Sequence, residues 1–437
     1  MNKRLKIALR IVPVLLLSGI LLVAATRPAV ATVPGNNTLA SVNNSGNGQG
    51  GNDDSDNMSI SKDGRYIAFT SWASNLVPGD TNSKNDVFVR DLQNNTTTRV
   101  SVSSSGVQAN NNSQHPHMSP GGRYVVFASQ ATNLIDSSTQ SRLHVYVHDL
   151  HNNTTDMVDV TSSGSESNGS GNDPVISEDG RFISFSSYGT DLVANDTNTK
   201  NKIFVKDRTL GTTKLISVAT NGGATNDSSY SPSMSCDGAF LTFISYASNL
   251  TANDTNGVMD VFLSSRVGAE YITNLTESAS VGTGSAEISC NGSYVGLATE
   301  GILVATDTDT QLDAYVYERI NDVYERINIS SSGTLSNADV NSTPSVTDDG
   351  RHAIFSTPAT NMGFMSGGVG QVYIRDRVGG TTELLSRNTS AQTGNSSSNA
   401  GTITPSGSRA TFSSFATNLV TSDTNNKLDI FVAETGL

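Results

Sequence analysis

Lysine and arginine are scarce in this chain, 27 of them in 437 residues against 40 aspartates and glutamates. A protein that grips a phosphate backbone needs a basic surface, so nucleic acid is excluded as a partner. Tryptophan is reduced to Trp72 and cysteine to Cys236 and Cys290. Charged residues make up only 15% of the chain. Its polarity comes instead from Asn, Ser, Thr and Gly, which suit turns and exposed loops between strands. No stretch beyond the first residues carries a helical period, which leaves an all-β class. Neither a Gly-x-Ser-x-Gly elbow nor a His-Glu-x-x-His helix occurs, which removes two hydrolase chemistries.

The one long apolar run lies at the start. Lys3, Arg4, Lys6 and Arg10 precede an apolar stretch from Ile11 to Ala25, and Ala29-Val30-Ala31 follows as a small-x-small cleavage signal. Residues 1–31 therefore read as a signal peptide, with 32–437 as the folded domain. Fifteen apolar residues are short for a membrane span, so no stable membrane insertion is expected after cleavage. An uncleaved anchor is the alternative. Removing residues 1–31 takes away five basic residues and no acidic one, lowering the formal charge from −13 to −18. Export, to the periplasm or beyond the cell, places the two cysteines in an oxidising compartment. They occupy equivalent turns of neighbouring repeats, Ser-Cys-Asp-Gly and Ser-Cys-Asn-Gly. A bridge needs Cα atoms within about 7 Å. Equivalent turns of adjacent units diverge, so two free thiols are the expectation and a disulfide the alternative.

What the chain has is a repeat. A turn ending in glycine recurs at Gly64, Gly122, Gly180, Gly238, Gly292, Gly350 and Gly407, spaced by 58, 58, 58, 54, 58 and 57 residues. Five residues after each glycine stands Phe69, Phe127, Phe185, Phe243, Leu297, Phe355 or Phe412. Short β-like runs repeated at this period predict propeller blades. The first unit offers strands at 57–61, 65–71, 86–91 and 98–102. Its third and fourth runs alternate apolar with polar residues, as outer strands do. The seventh unit ends without a fourth strand, and residues 38–42 resemble the missing piece. The expectation is a seven-bladed β-propeller of four-stranded antiparallel blades, closed by the N-terminal strand completing the last blade. Closure removes the exposed sheet edges of an open array.

Ser-x-Asp-Gly-Arg-Tyr-Ile-Ala-Phe at 61–69 and Asp-Val-Phe-Val-Arg-Asp at 86–91 recur at 177–185 with 202–207, and at 347–355 with 371–376. The chain resembles the TolB-type, WD-repeat-like propeller repeats of bacterial exported proteins. The resemblance covers nearly all of residues 32–437 and implies a fold, while the same propeller serves many tasks.

In such a blade the connection between strands two and three shares a face with the link to the next blade. Here both are long, 72–85 and 103–116 in the first unit, so this long-loop face is the expected working face. It carries a repeated acidic pattern. Asp80, Asn82 and Asp86 recur as Asp254, Asn256 and Asp260, as Asp307, Asp309 and Asp313, and as Asp423, Asn425 and Asp429. Oxygen side chains at positions 1, 3 and 7 of a tight loop suit a hard cation such as Ca²⁺. Asx-turns that fold the loop without metal are the competing reading. In the third unit Asp196 and Asn198 are followed by Lys202, whose ammonium would stand in for a cation.

Five of the six histidines, His115, His117, His144, His148 and His151, fall in the second unit. His148 matches Arg90, on a strand whose polar residues should face outward, and His144 lies about 13 Å from it along an extended strand. A surface origin is expected rather than a zinc site. The Ser-x-Asp-Gly turns differ from sialidase Asp-boxes, which place a glycine one residue later beside a tryptophan. These readings favour an exported, non-enzymatic platform that binds protein or glycan through its long-loop face. The alternative is a secreted glycosidase or lyase using loop carboxylates.

Overall fold

The computed structural model describes residues 36–44, 48–136, 141–268, 270–277 and 283–437. The expected signal peptide lies outside the described residues. Seven four-stranded antiparallel sheets are arranged as blades in a ring, and no helix occurs among the described residues. The first blade consists of Ser55–Ile60, Tyr66–Ser71, Asp86–Asp91 and Thr96–Arg99, ordered from the channel outward. The fourth strand thus starts two residues before the alternation in sequence indicates. The last blade is built from Ser398–Ile403, Arg409–Ser414 and Asp429–Glu434. Its fourth strand is Asn37–Leu39, with Asn37 opposite Ala433 and Leu39 opposite Phe431. The ring is therefore closed by the N-terminal strand.

The repeated motif explains itself in the turn between the first two strands. Ser61 Oγ donates to Asp63 Oδ1 at 2.6 Å and accepts from the Tyr66 amide at 2.9 Å, while Asp63 also accepts from the Arg65 amide. Gly64 sits at φ 73°, a conformation open to glycine at little cost. A second reason for glycine lies in the neighbouring blade. A Cβ at Gly122 would stand 2.9 Å from the Tyr66 ring, and one at Gly238 2.6 Å from Phe182. Five of the seven turns are thus pressed onto the aromatic residue of the preceding blade.

In six of the seven blades the recurring Phe of strand two stacks on an aromatic residue of strand three, the fifth blade carrying Leu297 instead. Ring centroids are 5.8 Å apart for Phe69 and Phe88 and 5.4 Å for Phe412 and Phe431. Such pairs add about 0.5–1.5 kcal/mol beyond burial. On the short-loop side Arg65 grips Asp91 through two hydrogen bonds of 3.0 and 2.7 Å, a pairing repeated by Arg123 with Asp149 and Arg351 with Asp376.

The expectation of two free thiols is overturned. Cys236 and Cys290 form a disulfide, their Cα atoms 4.6 Å apart. The turns that carry them do not diverge, because the Cys236 amide donates to the Cys290 carbonyl at 2.7 Å. Similar bonds run from Lys62 to Pro120, from Glu178 to Cys236 and from Asp348 to Pro405. These turns therefore meet around the short-loop mouth of the channel. Replacing both cysteines by serine is expected to lower stability by about 2–4 kcal/mol, as a bridge spanning 54 residues restrains the unfolded chain. Calorimetry of the double variant checks this, and an unchanged melting midpoint would show that the blades need no staple.

Candidate functional site

The long-loop face is organised by one buried position per blade, the first residue of the third strand. Asp86, His144, Lys202, Asp260, Asp313, Gln371 and Asp429 are each at most 1% exposed. Each acid is held from beyond the fourth strand. Ser101 donates to Asp86 at 2.5 Å, Thr276 to Asp260 at 2.6 Å, Asn328 to Asp313 at 2.6 Å and Ser41 to Asp429 at 2.5 Å. Gln371 accepts from Ser386 at 2.6 Å in the same way.

The middle residue of each acidic loop forms an Asx-turn. The Asn82 Oδ1 accepts the Lys84 amide, Asn256 that of Val258, Asp309 that of Gln311 and Asn425 that of Lys427, at 2.9–3.1 Å. The Asn82 amide also donates to Asp86 at 2.9 Å, as Asn256 does to Asp260 at 3.0 Å. Turn formation therefore accounts for these loops folding without a metal.

The four loops differ in what faces their acids. In blade one Arg99 lies 3.3 Å from Asp80 and 3.6 Å from Asp86. Burial still pushes the Asp86 carboxyl up to about 6, with Ser101, Asn82 and Arg99 pulling the other way. In blade five the carboxylates of Asp307, Asp309 and Asp313 lie within 4.8 Å of one another, a cluster of a kind that can hold a metal ion. Arg326, itself buried, stands among them at 2.7, 3.4 and 2.7 Å. Burial pushes Asp313 up to about 7 even so. In blade three Lys202 reaches Asp196 at 3.0 Å, so the ammonium does occupy the place of a cation. Asp254 and Asp260 of blade four, and Asp423 and Asp429 of blade seven, form no ion pair among the described residues. Burial is the largest cause pushing Asp254 up to about 6 and Asp429 up to about 7.

The histidines do not form a site, but their expected surface origin is corrected. His144 is fully buried and pairs with Asp159 at 2.9 Å, and His148 is buried against Thr155 Oγ1 at 2.9 Å. The outer face of this strand is covered by the preceding blade's linker, since Thr155 Oγ1 donates to the Val102 carbonyl. Arg90 is buried for the same reason, beneath the segment around Val42 that accepts from Thr97. His115 turns to Asp173 at 2.8 Å, and His151 is exposed.

Inside the ring runs a cavity of about 720 Å³, walled by Met58, His117, Met234, Glu287 and Asn341 among others. It is unevenly polar. Burial pushes Glu287 up to about 8 against a 2.9 Å hydrogen bond from Ser345, and depresses His117 to about 4. Among the described residues no Phe, Tyr or Trp lines it. The disulfide and the 2.6 Å Lys62–Glu178 ion pair lie beside its short-loop end.

At the opposite mouth stand four exposed aromatic residues missed by sequence reasoning. Trp72, Tyr188, Tyr246 and Phe415 each follow the second strand of a blade and are 49%, 47%, 52% and 46% exposed. Their amides bond to the residue leading into the innermost strand, for instance Trp72 to the Asp54 carbonyl at 3.0 Å, which places them on the inner rim. The signal was available, because each lies three residues after the recurrent Phe69, Phe185, Phe243 or Phe412. Around them, in six blades, an Asn amide clasps a Ser or Thr hydroxyl at 2.8–3.0 Å, as in Asn52–Ser74 and Asn110–Thr132.

No family model and no curated protein matches this sequence. Solved structures do. An oligogalacturonate lyase from Vibrio parahaemolyticus is 11% identical, with 86% of this chain and 88% of that one covered at a TM-score of 0.54. An oligogalacturonate lyase in complex with manganese is 12% identical, with 86% and 87% covered at 0.52. These likenesses establish the propeller fold. TolB from Acinetobacter baumannii is 15% identical at a TM-score of 0.42, with 73% of this chain covered; the match spans 63% of that protein's length. At these identities the likeness carries no activity across.

Two outcomes follow from the electrostatics. Arg326→Leu would strand the buried Asp307 and Asp313 without their cation and is expected to cost about 3–5 kcal/mol at neutral pH, measurable by urea unfolding. Glu287 titrates higher folded than unfolded, so the stability it permits is full below its unfolded value near 4.5 and declines as pH rises towards 8. Glu287→Gln should therefore raise the melting midpoint at pH 9 and leave it nearly unchanged at pH 4, a comparison that scanning calorimetry makes directly.

Proposed function

We propose that this chain is an exported, non-enzymatic binding platform that engages protein or glycan through the long-loop face. The observation that carries the reading is the rim itself. A near-symmetric ring of Asn–Ser and Asn–Thr clasps surrounds Trp72, Tyr188, Tyr246 and Phe415. Flat apolar rings beside short hydrogen-bonding side chains suit a sugar ring, and exposed aromatic anchors equally suit a protein hot spot. The reading of residues 1–31 as a leader and the formed disulfide both fit an oxidising compartment outside the cytoplasm. Calcium is the ion that the acidic loops would meet there, and its role would be to stabilise them.

The alternative, a glycosidase or lyase, would need loop carboxylates that reach a substrate. Asp86, Asp260, Asp313 and Asp429 are fully buried, which weighs against it. The test is a glycan array probed with residues 32–437, followed by calorimetric titration of any ligand found. Replacing Trp72, Tyr188, Tyr246 and Phe415 by serine should weaken binding at least tenfold while the circular dichroism spectrum is kept. Release of cleaved product from a bound polysaccharide would overturn the platform in favour of the enzyme. Undiminished binding by the serine variant would move the site off the rim.

A further inference from the structure

Three features coincide in blade seven and in none of the other acidic loops. Its acids have no internal cation. Arg99 lies opposite Phe88, and Arg326 opposite Tyr315, in the pairing of third and fourth strands. The residue opposite Phe431 is Leu39, so leucine stands where blades one and five place a guanidinium. Lys427, two residues before Asp429, is engaged by Asp53 at 2.7 Å.

The acids are also short of donors, since Ser41 donates to Asp429 Oδ1 while the Asn425 backbone and side-chain amides face Asp423 and Asp429 without reaching hydrogen-bond geometry. Asp423 is 5% exposed and Asp429 fully buried, yet both oxygens of Asp423 and Oδ2 of Asp429 are buried without a hydrogen-bond partner. Buried carboxylate oxygens without donors are costly, and a bound cation is one remedy beside protonation. Finally, the closing linker approaches them through a glycine, which leaves space for the Asn425 amide beside Asp429. Gly50 bridges Val42 at a place where other blades carry Gln108, Glu166, Leu335 or Thr393. Its backbone is not left-handed, so glycine is not needed there for conformation. A Cβ at this position would meet Asn425 Nδ2 at 2.5 Å and both Asp429 oxygens at 3.4 Å.

We propose that Asp423 and Asp429 form a binding site for one hard divalent cation, in the place that Arg99 and Arg326 fill in their own blades. The donors are all oxygen, which selects calcium, manganese or magnesium over softer metals. Ser41, which donates to Asp429 Oδ1, leaves Oδ2 for the ion. Blade four does not repeat the arrangement. Of the two acids there, Asp254 lacks a partner at Oδ1 alone and Asp260 is bonded through both oxygens, while Asn274 occupies the position of Leu39. This deepens the reading of the acidic loops as calcium-stabilised and is independent of whether the aromatic rim binds a glycan or a protein.

The test is isothermal titration of the chelator-treated chain with Ca²⁺, and separately with Mn²⁺. One ion per chain is expected, with binding at least tenfold weaker in Asp423→Asn. Leu39→Arg should fill the site with a guanidinium, abolishing ion uptake while the ring keeps a melting midpoint no longer raised by Ca²⁺. No uptake of either ion at millimolar concentration by the unaltered chain would overturn the proposal. So would one-to-one binding that persists unchanged in both variants.

Discussion

The blades lean on their neighbours through one recurrent contact, at five of the seven junctions the glycine turn of one blade pressed against the aromatic residue of the blade before it. Tyr66 meets Gly122, Tyr124 meets Gly180, Phe182 meets Gly238, Phe240 meets Gly292 and Tyr294 meets Gly350. At the closure the partner of Gly64 is the Arg409 side chain, whose Nη1 also donates to the Gly64 carbonyl at 2.8 Å. The contact sets the spacing of blades at the short-loop side, and the bonds between successive turns follow from it. The long-loop side has no such obligation. Its loops are free to differ, and that is where the blades do differ.

This division explains what was legible in the sequence. Gly64 and its six counterparts, with the Phe five residues on, satisfy two constraints at once, so their period shows through and the seven blades with it. The closing strand was legible because the last unit lacked a fourth strand and residues 38–42 carried its pattern. Its end residues were not, since the fourth strands are short and the chain beyond them continues into the linker with similar polarity. The disulfide was not legible, because the repeat period of equivalent turns carries no information on how closely adjacent blades bring them together. At the channel mouth the Cys236 and Cys290 turns are hydrogen-bonded neighbours.

The buried polar strand was not legible either. Alternation in Asp-Val-Phe-Val-Arg-Asp places Arg90 and His148 on the face away from the core, but that face is roofed by the incoming linker of the preceding blade. Local periodicity reports which side a residue occupies. It does not report what a segment about fifty residues away lays over that side.

The acidic loops show how a symmetric scaffold diverges without losing its shape. Asx-turns fold the loop in each of these blades, and that job requires only the middle Asn or Asp. The outer acids are then free to be paired in different ways: with Arg99, with Arg326, or, in blade three, with Lys202 in place of an acid. Each is a different answer to one electrostatic problem, the burial of a carboxylate at the foot of the third strand. Where the fourth strand comes from the other end of the chain, that answer is not available from Leu39, and the pressure to neutralise the site passes to the solvent. The closure of the ring and the chemistry of its last loop are thus decided by the same three-residue strand.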